Sequence, residues 1–381
     1  TARAGKSTVV LEAETPGWGC STRNGGQVST SVKEGFTSLS ARYGAELATA
    51  ILREGQASLD FTEEFIAAEA PEAGFRRVGR FHGAHLAKSY DKLAKQLTAP
   101  NPAFDTEAYM VTRDDMAAEH GTTAYYVGVV FPHHASLDPG KYHKALLRLC
   151  RDAGVHIVPH CRVTQFERQP PGFRLSTEKG AIKAGKVVLA TNGYSGTLSP
   201  WHRRRVIPIG SYVIATEPIA NDLMDQLFPT DRILSDTRKL VYYYRPSPDR
   251  TRVLFGGRVS LGERNPDKSG PLLLAELYRL FPELKGAKIS HSWSGSVAYS
   301  FDTLMHAGED NGLFYAMGYC GSGVGMAGYL GAKIGRQAAG LDDGITAFGK
   351  VPFPTRPFYN GTPWFLAPSI LAYRLRDRFG W

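Results

Sequence analysis

Along this chain, short β-branched runs, period-two stretches and helical repeats follow one another in an order that predicts a mixed α/β protein. Thr8, Val9, Val10 and Leu11 form the first apolar run, which reads as a strand buried on both faces, as in a parallel sheet. Over residues 39–68 the apolar positions Leu47, Ile51, Leu59, Phe65 and Ile66 recur at helical spacing, predicting one or two amphipathic helices. Residues 75–85 read as a strand of a second sheet, 89–97 as a helix broken by Pro100 and Pro102, 112–119 as a short helix and 125–131 as a strand. Asp138 before Pro139 predicts the N-cap and first position of a helix over 139–153, with Gly154 as its stop. Strands follow at 155–158, 161–166, 173–177, 186–191 and 207–216, then a hairpin of 239–245 with 253–258, a helix over 271–280 and a strand over 289–297. The stretch 312–335 joins a strand to a helix through Gly318, Gly321, Gly323 and Gly325. A proline-rich tail over 353–381 closes with a short basic helix near 373–378, followed by Phe379 and Trp381.

Polar and small residues sharpen the first of these elements. Glu12 stands at the carboxyl end of the opening run, where a doubly wound fold places the carboxylate that accepts hydrogen bonds from a nucleotide ribose. Gly17, Gly19, Gly25 and Gly26, with Ser21, Thr22 and Asn24 between them, let the backbone approach a ligand closely and aim donors at it. A plain surface turn at Arg23–Gly26 is the competing reading.

Composition narrows the class. A chain of 381 residues, 43% hydrophobic, buries a substantial core and divides into two domains. No run of about 18 apolar residues is present, so no membrane span is expected. Cys20, Cys150, Cys161 and Cys320 lack CxxC spacing, which argues against a zinc site or a disulfide framework and for a reducing, cytoplasmic setting. The net charge of +9 comes from dispersed basic residues without an interleaved aromatic stripe, favouring an anionic cofactor and a carboxylate-bearing substrate over nucleic acid. His133, His134 and Asp138 suggest a metal only weakly, since adjacent side chains on a strand diverge, and no metal is expected.

The runs TVVLEAETPGWGCSTRNGGQV, ATNGY ending at Tyr194, WHRRRVIPIGSYVIATEP, the triplet Gly256-Gly257-Arg258 and GYCGSGVG resemble the FAD-dependent amine and amino-acid oxidases, the family of glycine oxidase, sarcosine oxidase and D-amino-acid oxidase. Within it the gamma-glutamylputrescine oxidase branch is the most similar, and the resemblance covers nearly the whole chain after residue 6. It implies an α/β fold in which a Rossmann-like FAD-binding domain, truncated at its N-terminus, carries an inserted mixed-sheet α+β substrate domain. The FAD-binding parts would be residues 1–74, 136–205 and 301–350, the substrate parts 75–135 and 206–300, and the wrapping tail 351–381. The implied cofactor contacts are Glu12, Ala13, Gly19, Cys20, Ser21, Arg23, Asn24, Gly25, Gly26 and Gln27 in the first loop, Val163 beside the adenine, Ala190, Thr191 and Asn192 over the diphosphate, and Gly318, Gly321, Ser322, Gly323 and Val324 at the flavin N1 and O2. Tyr242, Tyr244 and Arg258 are the implied substrate contacts in a sheet above the flavin; alternation puts Tyr243 on the opposite face from Tyr242 and Tyr244.

The family reaction takes a hydride from the carbon beside an amine nitrogen, gives an imine that water hydrolyses, and returns the electrons to oxygen as hydrogen peroxide. A same-fold dehydrogenase serving a quinone or carrier, and a flavin-free binding protein, are the alternatives. Some relatives attach the flavin to a cysteine near the position of Trp293 and Gly295; no cysteine occurs near these residues in the sequence, so FAD held without a covalent bond is implied. The chain starts at what resembles the last turn of the first helix, with Gly5 as its cap, so the G-x-G-x-x-G phosphate loop of such folds is expected to be missing and FAD affinity to be weakened.

Overall fold

In the computed structural model, which describes residues 1–30, 32–258 and 265–380, the opening apolar run is the strand Val9–Leu11. It pairs in parallel with His156–Val158, the strand that follows the helix Pro139–Asp152. Asp138 caps that helix by accepting the Lys141 N–H at 3.0 Å, with Pro139 in its first turn. A second parallel pair, Val187–Leu189 with Leu313–Met317, is extended antiparallel by His306–Asp310. The antiparallel meander Val163–Gln169, Gly172–Thr177, Gly180–Ala184 packs against both pairs through a core of Phe173, Leu175, Leu189, Leu313 and Met317, joined by Leu11 and Val163.

The predicted helical stretch is two helices, Phe36–Tyr43 and Ala45–Glu69, because Gly44 at φ 84° and ψ 156° turns the chain between them. The longer one buries Ala48, Ile51, Leu52, Leu59 and Ile66 at helical spacing. Part of this stripe packs on Met326, Leu330 and Ile334 of the helix Gly323–Ala339. Gly55 is needed where backbone comes close, since a Cβ there would lie 2.4 Å from the Thr30 carbonyl oxygen; one on Gly325 would sit tightly, 3.3 Å from a Val28 methyl.

The large sheet has eight strands in the order Ile289–Tyr299, Ile207–Thr216, Val253–Gly257, Tyr243–Pro246, Ile233–Asp236, Arg80–Gly83, Gly128–Phe131, Tyr109–Val111. Among the described residues only the contact of Ile233–Asp236 with Arg80–Gly83 is parallel in this sheet. One face is apolar: Phe81, Val130, Tyr212, Ile214, Leu234, Tyr244 and Phe255 pack under the helices Asn221–Leu227 and Pro266–Leu280 through Met224, Leu227, Leu273 and Leu277. Each such side chain contributes about 1.5–3 kcal/mol of burial. The other face, by strand alternation, carries Arg80, His82, Ser211, Ser235 and Tyr243.

Two helix starts differ from expectation. Pro266–Leu280 begins before Pro271, because the Asn265 side chain accepts the Asp267 N–H and Pro266 fills the first turn, which leaves Pro271 inside the helix. The last helix is Leu366–Phe379 and longer than expected; Trp381 lies outside the described residues. His133, His134 and Asp138 have separate partners: His133 Nε2 lies 3.1 Å from Glu107, His134 stacks on Phe131, and Asp138 caps its helix. No helix among the described residues is long and apolar enough to cross a membrane.

Buried neutral histidines give the fold an acid limit. Burial pushes His120 and His202 down to about 4, against 6.5 for an exposed imidazole. Between pH 7 and 5 the unfolded chain takes up a proton at each residue and the folded chain does not, so stability falls as pH falls through this window. The expected loss is about 2 kcal/mol per histidine. Urea unfolding at pH 7 and pH 5 checks this, and His202→Asn should reduce the pH slope.

Candidate functional site

A cavity of about 2930 Å³ runs between the parallel pairs and the large sheet. It is well above the ~300–1,000 Å³ of a pocket for one drug-sized molecule. Val9, Val10 and Leu11 line it from one parallel pair, Val187, Val188 and Leu189 from the other, and Arg80, His82, Ser211, Ser235, Tyr243 and Arg258 from the large sheet and its edge loops. The last helix closes one wall with Phe365, Leu366, Ser369, Ile370 and Tyr373. Its Asp377 carboxylate anchors the neighbouring wall by accepting the N–H groups of Lys239 at 2.7 Å and Leu240 at 3.0 Å.

Glu12 ends the Val9–Leu11 strand on the cavity wall, its carboxylate accepting the Glu14 N–H at 2.9 Å. The loop after it is held by its own side chains. Asn24 donates to the carbonyls of Cys20 at 3.0 Å and Ser21 at 3.1 Å and accepts the Gly26 N–H at 2.9 Å. The Arg23 guanidinium lies 4.6 Å from the Trp18 ring centroid. Gly19 passes under Tyr194, and Gly25 meets the Tyr243 ring, where a Cβ would come to 3.1 Å. Ala13, Gly19, Cys20, Ser21, Arg23, Asn24, Gly25 and Gln27 all line the cavity.

Gly26 does not. Its φ of 63° and the absence of room, with a Cβ falling 2.2 Å from the Leu137 carbonyl oxygen, make it a joint between loop and sheet.

Opposite this loop stands the helix Gly323–Ala339. Its N-terminal residue Ser322 makes no side-chain cap, and Gly321, Ser322, Gly323 and Val324 line the cavity. A Cβ on Gly321 would meet Lys33 Nζ at 3.6 Å and the Tyr299 hydroxyl at 3.7 Å, ordinary contact distances. Lys33 donates to that hydroxyl at 3.1 Å, so a cation stands beside the positive end of the helix. Gly318 lies behind, its N–H donating to the Asn192 side chain at 3.0 Å. Val163, Ala190, Thr191 and Asn192 line the cavity, and Asn192 adopts φ 42°.

Among the expected substrate contacts, the structure separates the tyrosines from the arginine. Tyr244 is fully buried in the apolar core, its hydroxyl donating to Tyr125 at 3.0 Å, and Tyr242 packs on Phe255 at the edge of the same core. Neither lines the cavity, which corrects the expected facing: helix Pro266–Leu280 covers the face that carries them. Tyr243 takes the cavity side instead, with its hydroxyl 2.9 Å from Ser211 Oγ and its ring lying over Gly256, where a Cβ would come to 2.3 Å. Arg258 lines the cavity and donates to the Gly210 carbonyl at 2.6 Å. Burial raises the Tyr243 phenol to about 12, so it stays protonated at neutral pH.

Cys20 also departs from the sequence picture. Remote in sequence from Gly295, its sulfur is brought against it, where a Cβ on Gly295 would come to 2.6 Å, and the thiol donates to the Ser296 carbonyl at 3.0 Å. Burial raises the thiol above its ordinary range, which keeps it protonated and poorly nucleophilic.

These features fit a bound FAD: a carboxylate ending a parallel strand, a glycine cradle that side chains would fill, and an uncapped helix N-terminus beside a lysine. Replacing Asn24 by Ala removes the bonds that hold the cradle shut and should cost about 1–3 kcal/mol. A lower thermal midpoint together with faster loss of flavin from the purified protein checks this.

Comparison with known proteins agrees with this geometry. Gamma-glutamylputrescine oxidoreductase of Escherichia coli K12 is 29% identical over 395 residues, covering 100% of this chain and 89% of its own length. A probable oxidoreductase of Haemophilus influenzae is 26% identical over 93% of this chain and 82% of its own. Among solved structures, glycine oxidase from Geobacillus kaustophilus superposes with a TM-score of 0.76 at 19% identity, covering 93% of both chains. L-proline dehydrogenase from P. horikoshii does so with a TM-score of 0.72 at 16% identity, over 97% of this chain and 93% of that one. The model of the FAD dependent oxidoreductase family matches residues 1–337, and the chain belongs to that family.

Proposed function

We propose that this protein oxidises the carbon–nitrogen bond of an amine or amino acid at a noncovalently held FAD. The observation that carries the reading is the uncapped start of helix Gly323–Ala339 with Lys33 beside it, facing the cavity where the glycine loop and the large sheet meet. When bound, FAD supplies a two-electron acceptor that takes a hydride from the carbon beside nitrogen, leaving an imine for water to hydrolyse, and passes the electrons to oxygen as hydrogen peroxide.

The chain's own groups do the rest. Backbone N–H donors of Gly321, Gly323 and Val324 and the Lys33 ammonium oppose negative charge that builds on the acceptor, while the Ser322 N–H is held by the Tyr319 carbonyl. Glu12 accepts from a ribose, and the cradle from Gly19 to Gly25 admits the backbone-close approach of the cofactor. Tyr243 and Arg258 line the space left for the substrate on the large-sheet side. The Tyr243 phenol keeps its proton and burial drives His82 down to about 3, so neither serves as a side-chain base for proton abstraction. An amine entering in its neutral form requires none. The relatives support the substrate class, since one is named for gamma-glutamylputrescine and a structural neighbour, with a TM-score of 0.68, for a fructosyl amine. The protonated, hydrogen-bonded Cys20 thiol supports noncovalent attachment.

Two measurements test this. An amine panel added without oxygen should bleach the yellow flavin, and admitting air should restore it with one hydrogen peroxide per turnover. Bleaching that air does not reverse, but a quinone does, turns the reading to a dehydrogenase. Acid precipitation should release the flavin into the supernatant; colour in the pellet rejects noncovalent binding. Arg258→Met and Tyr243→Phe should slow bleaching or raise KM about tenfold or more while keeping the flavin content of the parent.

A further inference from the structure

The last helix, Leu366–Phe379, has two unlike faces. At about 100° per residue, Leu366, Ile370, Tyr373 and Asp377 fall on one side. That side is turned to the protein: the first three line the cavity, and Asp377 anchors Lys239 and Leu240. The Asp377 carbonyl oxygen also lies 3.2 Å from His85 Nε2, and Gly380 packs against Lys88 and Leu86.

The outer side is apolar where it meets solvent. Leu371, Leu375 and Phe379 recur at every fourth residue and are 52%, 39% and 57% exposed. Trp364, just before the helix, is 69% exposed. Single exposed apolar residues are ordinary, but a row of them along one helix face marks an interaction surface. Arg374, Arg376 and Arg378 are exposed as well, and the same helical spacing sets Arg374 and Arg378 on one flank of the row and Arg376 on the other.

The basic rim continues beyond the helix. Lys88, Lys92 and Lys239 are exposed; Lys88 lies against Gly380, and burial with the charges of Arg376 and Lys92 lowers the Lys239 ammonium. Two carboxylates, Asp377 and Glu34, act on Lys239 in the opposite sense. Both are engaged: Asp377, the one acid of the helix, accepts two backbone N–H groups, and Glu34 pairs with Arg42 at 3.2 Å.

This combination selects among occupants. A second copy of the chain, meeting the row about a two-fold axis, would bring one arginine rim against the other. A nucleic acid would suit the cations and leave the leucines uncovered. An anionic lipid surface answers both, since its phosphates take guanidinium groups and its acyl boundary takes leucine and aromatic side chains. We propose that the outer face of the last helix docks the protein on an anionic phospholipid surface, with Leu371, Leu375 and Phe379 entering the headgroup layer and the flanking arginines holding phosphates. The helix then stands between the lipid and the cavity.

Co-sedimentation of the flavin-loaded protein with unilamellar vesicles tests the surface. Vesicles of phosphatidylglycerol and phosphatidylcholine in equal parts should bind at least about tenfold more tightly than phosphatidylcholine alone at about 0.1 M salt, and the margin should shrink at about 0.5 M. Leu371→Ser combined with Leu375→Ser should weaken binding to the anionic vesicles about tenfold or more while keeping the flavin content of the parent. Equal binding to the two vesicle types overturns the proposal. So does anionic binding that the leucine pair leaves intact, because the net charge of +9 then suffices for adsorption through any face. A dimer that the leucine pair dissolves, with no vesicle binding by the parent, assigns the row to a second copy and overturns it too. Should the leucine variant not fold, Arg376→Gln with Arg378→Gln decides against a charge-matched pair on the helix Pro139–Asp152, Lys144→Gln with Arg151→Gln. The first pair should lose most of the preference for anionic vesicles and the second should keep it; equal loss in both overturns the docking surface.

Discussion

The joint between the glycine loop and the large sheet is the constraint on which the site depends. Gly26 has room for hydrogen alone, since a Cβ there would fall 2.2 Å from the Leu137 carbonyl oxygen and 2.5 Å from Arg245 Nη2. The same Arg245 nitrogen donates to the Leu137 carbonyl at 2.7 Å, and the Gln27 amide reaches the carbonyls of Leu234 and Tyr244 at 3.4 and 3.3 Å. Each bond is modest by itself. Together they fix the residue after the cradle to the central strands, so Gly25 meets the Tyr243 ring and the loop faces the sheet at a single distance. If the joint moved, the carboxylate of Glu12, the start of helix Gly323–Ala339 and the polar face of the sheet would no longer converge on one cavity.

Much of this was legible in the chain because the signals were local. The Thr8–Leu11 run, the Asp138-Pro139 cap and the glycine-rich junction before residue 323 each specify an element through neighbours a few residues away. Ile207–Thr216 was bounded as a strand by its apolar run alone. What stayed illegible was which face a strand buries. Alternation separated Tyr243 from Tyr242 and Tyr244, but only the helix Pro266–Leu280, packed through Leu273 and Leu277, determines that the Tyr244 side is the core. Arg80 and His82 were hidden for the same reason: their strand reads as a short alternating run until the parallel partner Ile233–Asp236 brings Ser235 beside them. The position of Cys20 against Gly295 depends on a contact between segments far apart in sequence, which no spacing records.

The electrostatics of the cavity follow from burial more than from pairing. Tyr243 is driven up and His82 and His134 down, so the polar groups of the sheet face stay uncharged at neutral pH, apart from the guanidinium groups. A wall of this kind favours a neutral amine over its ammonium form, because an ammonium placed beside Lys33, Arg80 and Arg258 would meet like charge in a poorly solvated space. The same wall attracts anions, which reconciles a basic cavity with an amine substrate if the amine also carries an acid. The last helix then matters as a cover: Asp377 fastens it to Lys239 and Leu240, and Phe365, Leu366 and Ile370 present apolar surface to the cavity. By excluding water it strengthens each of these charge interactions, so one packing contact at the end of the chain sets how strongly residues on the central strands act on whatever enters.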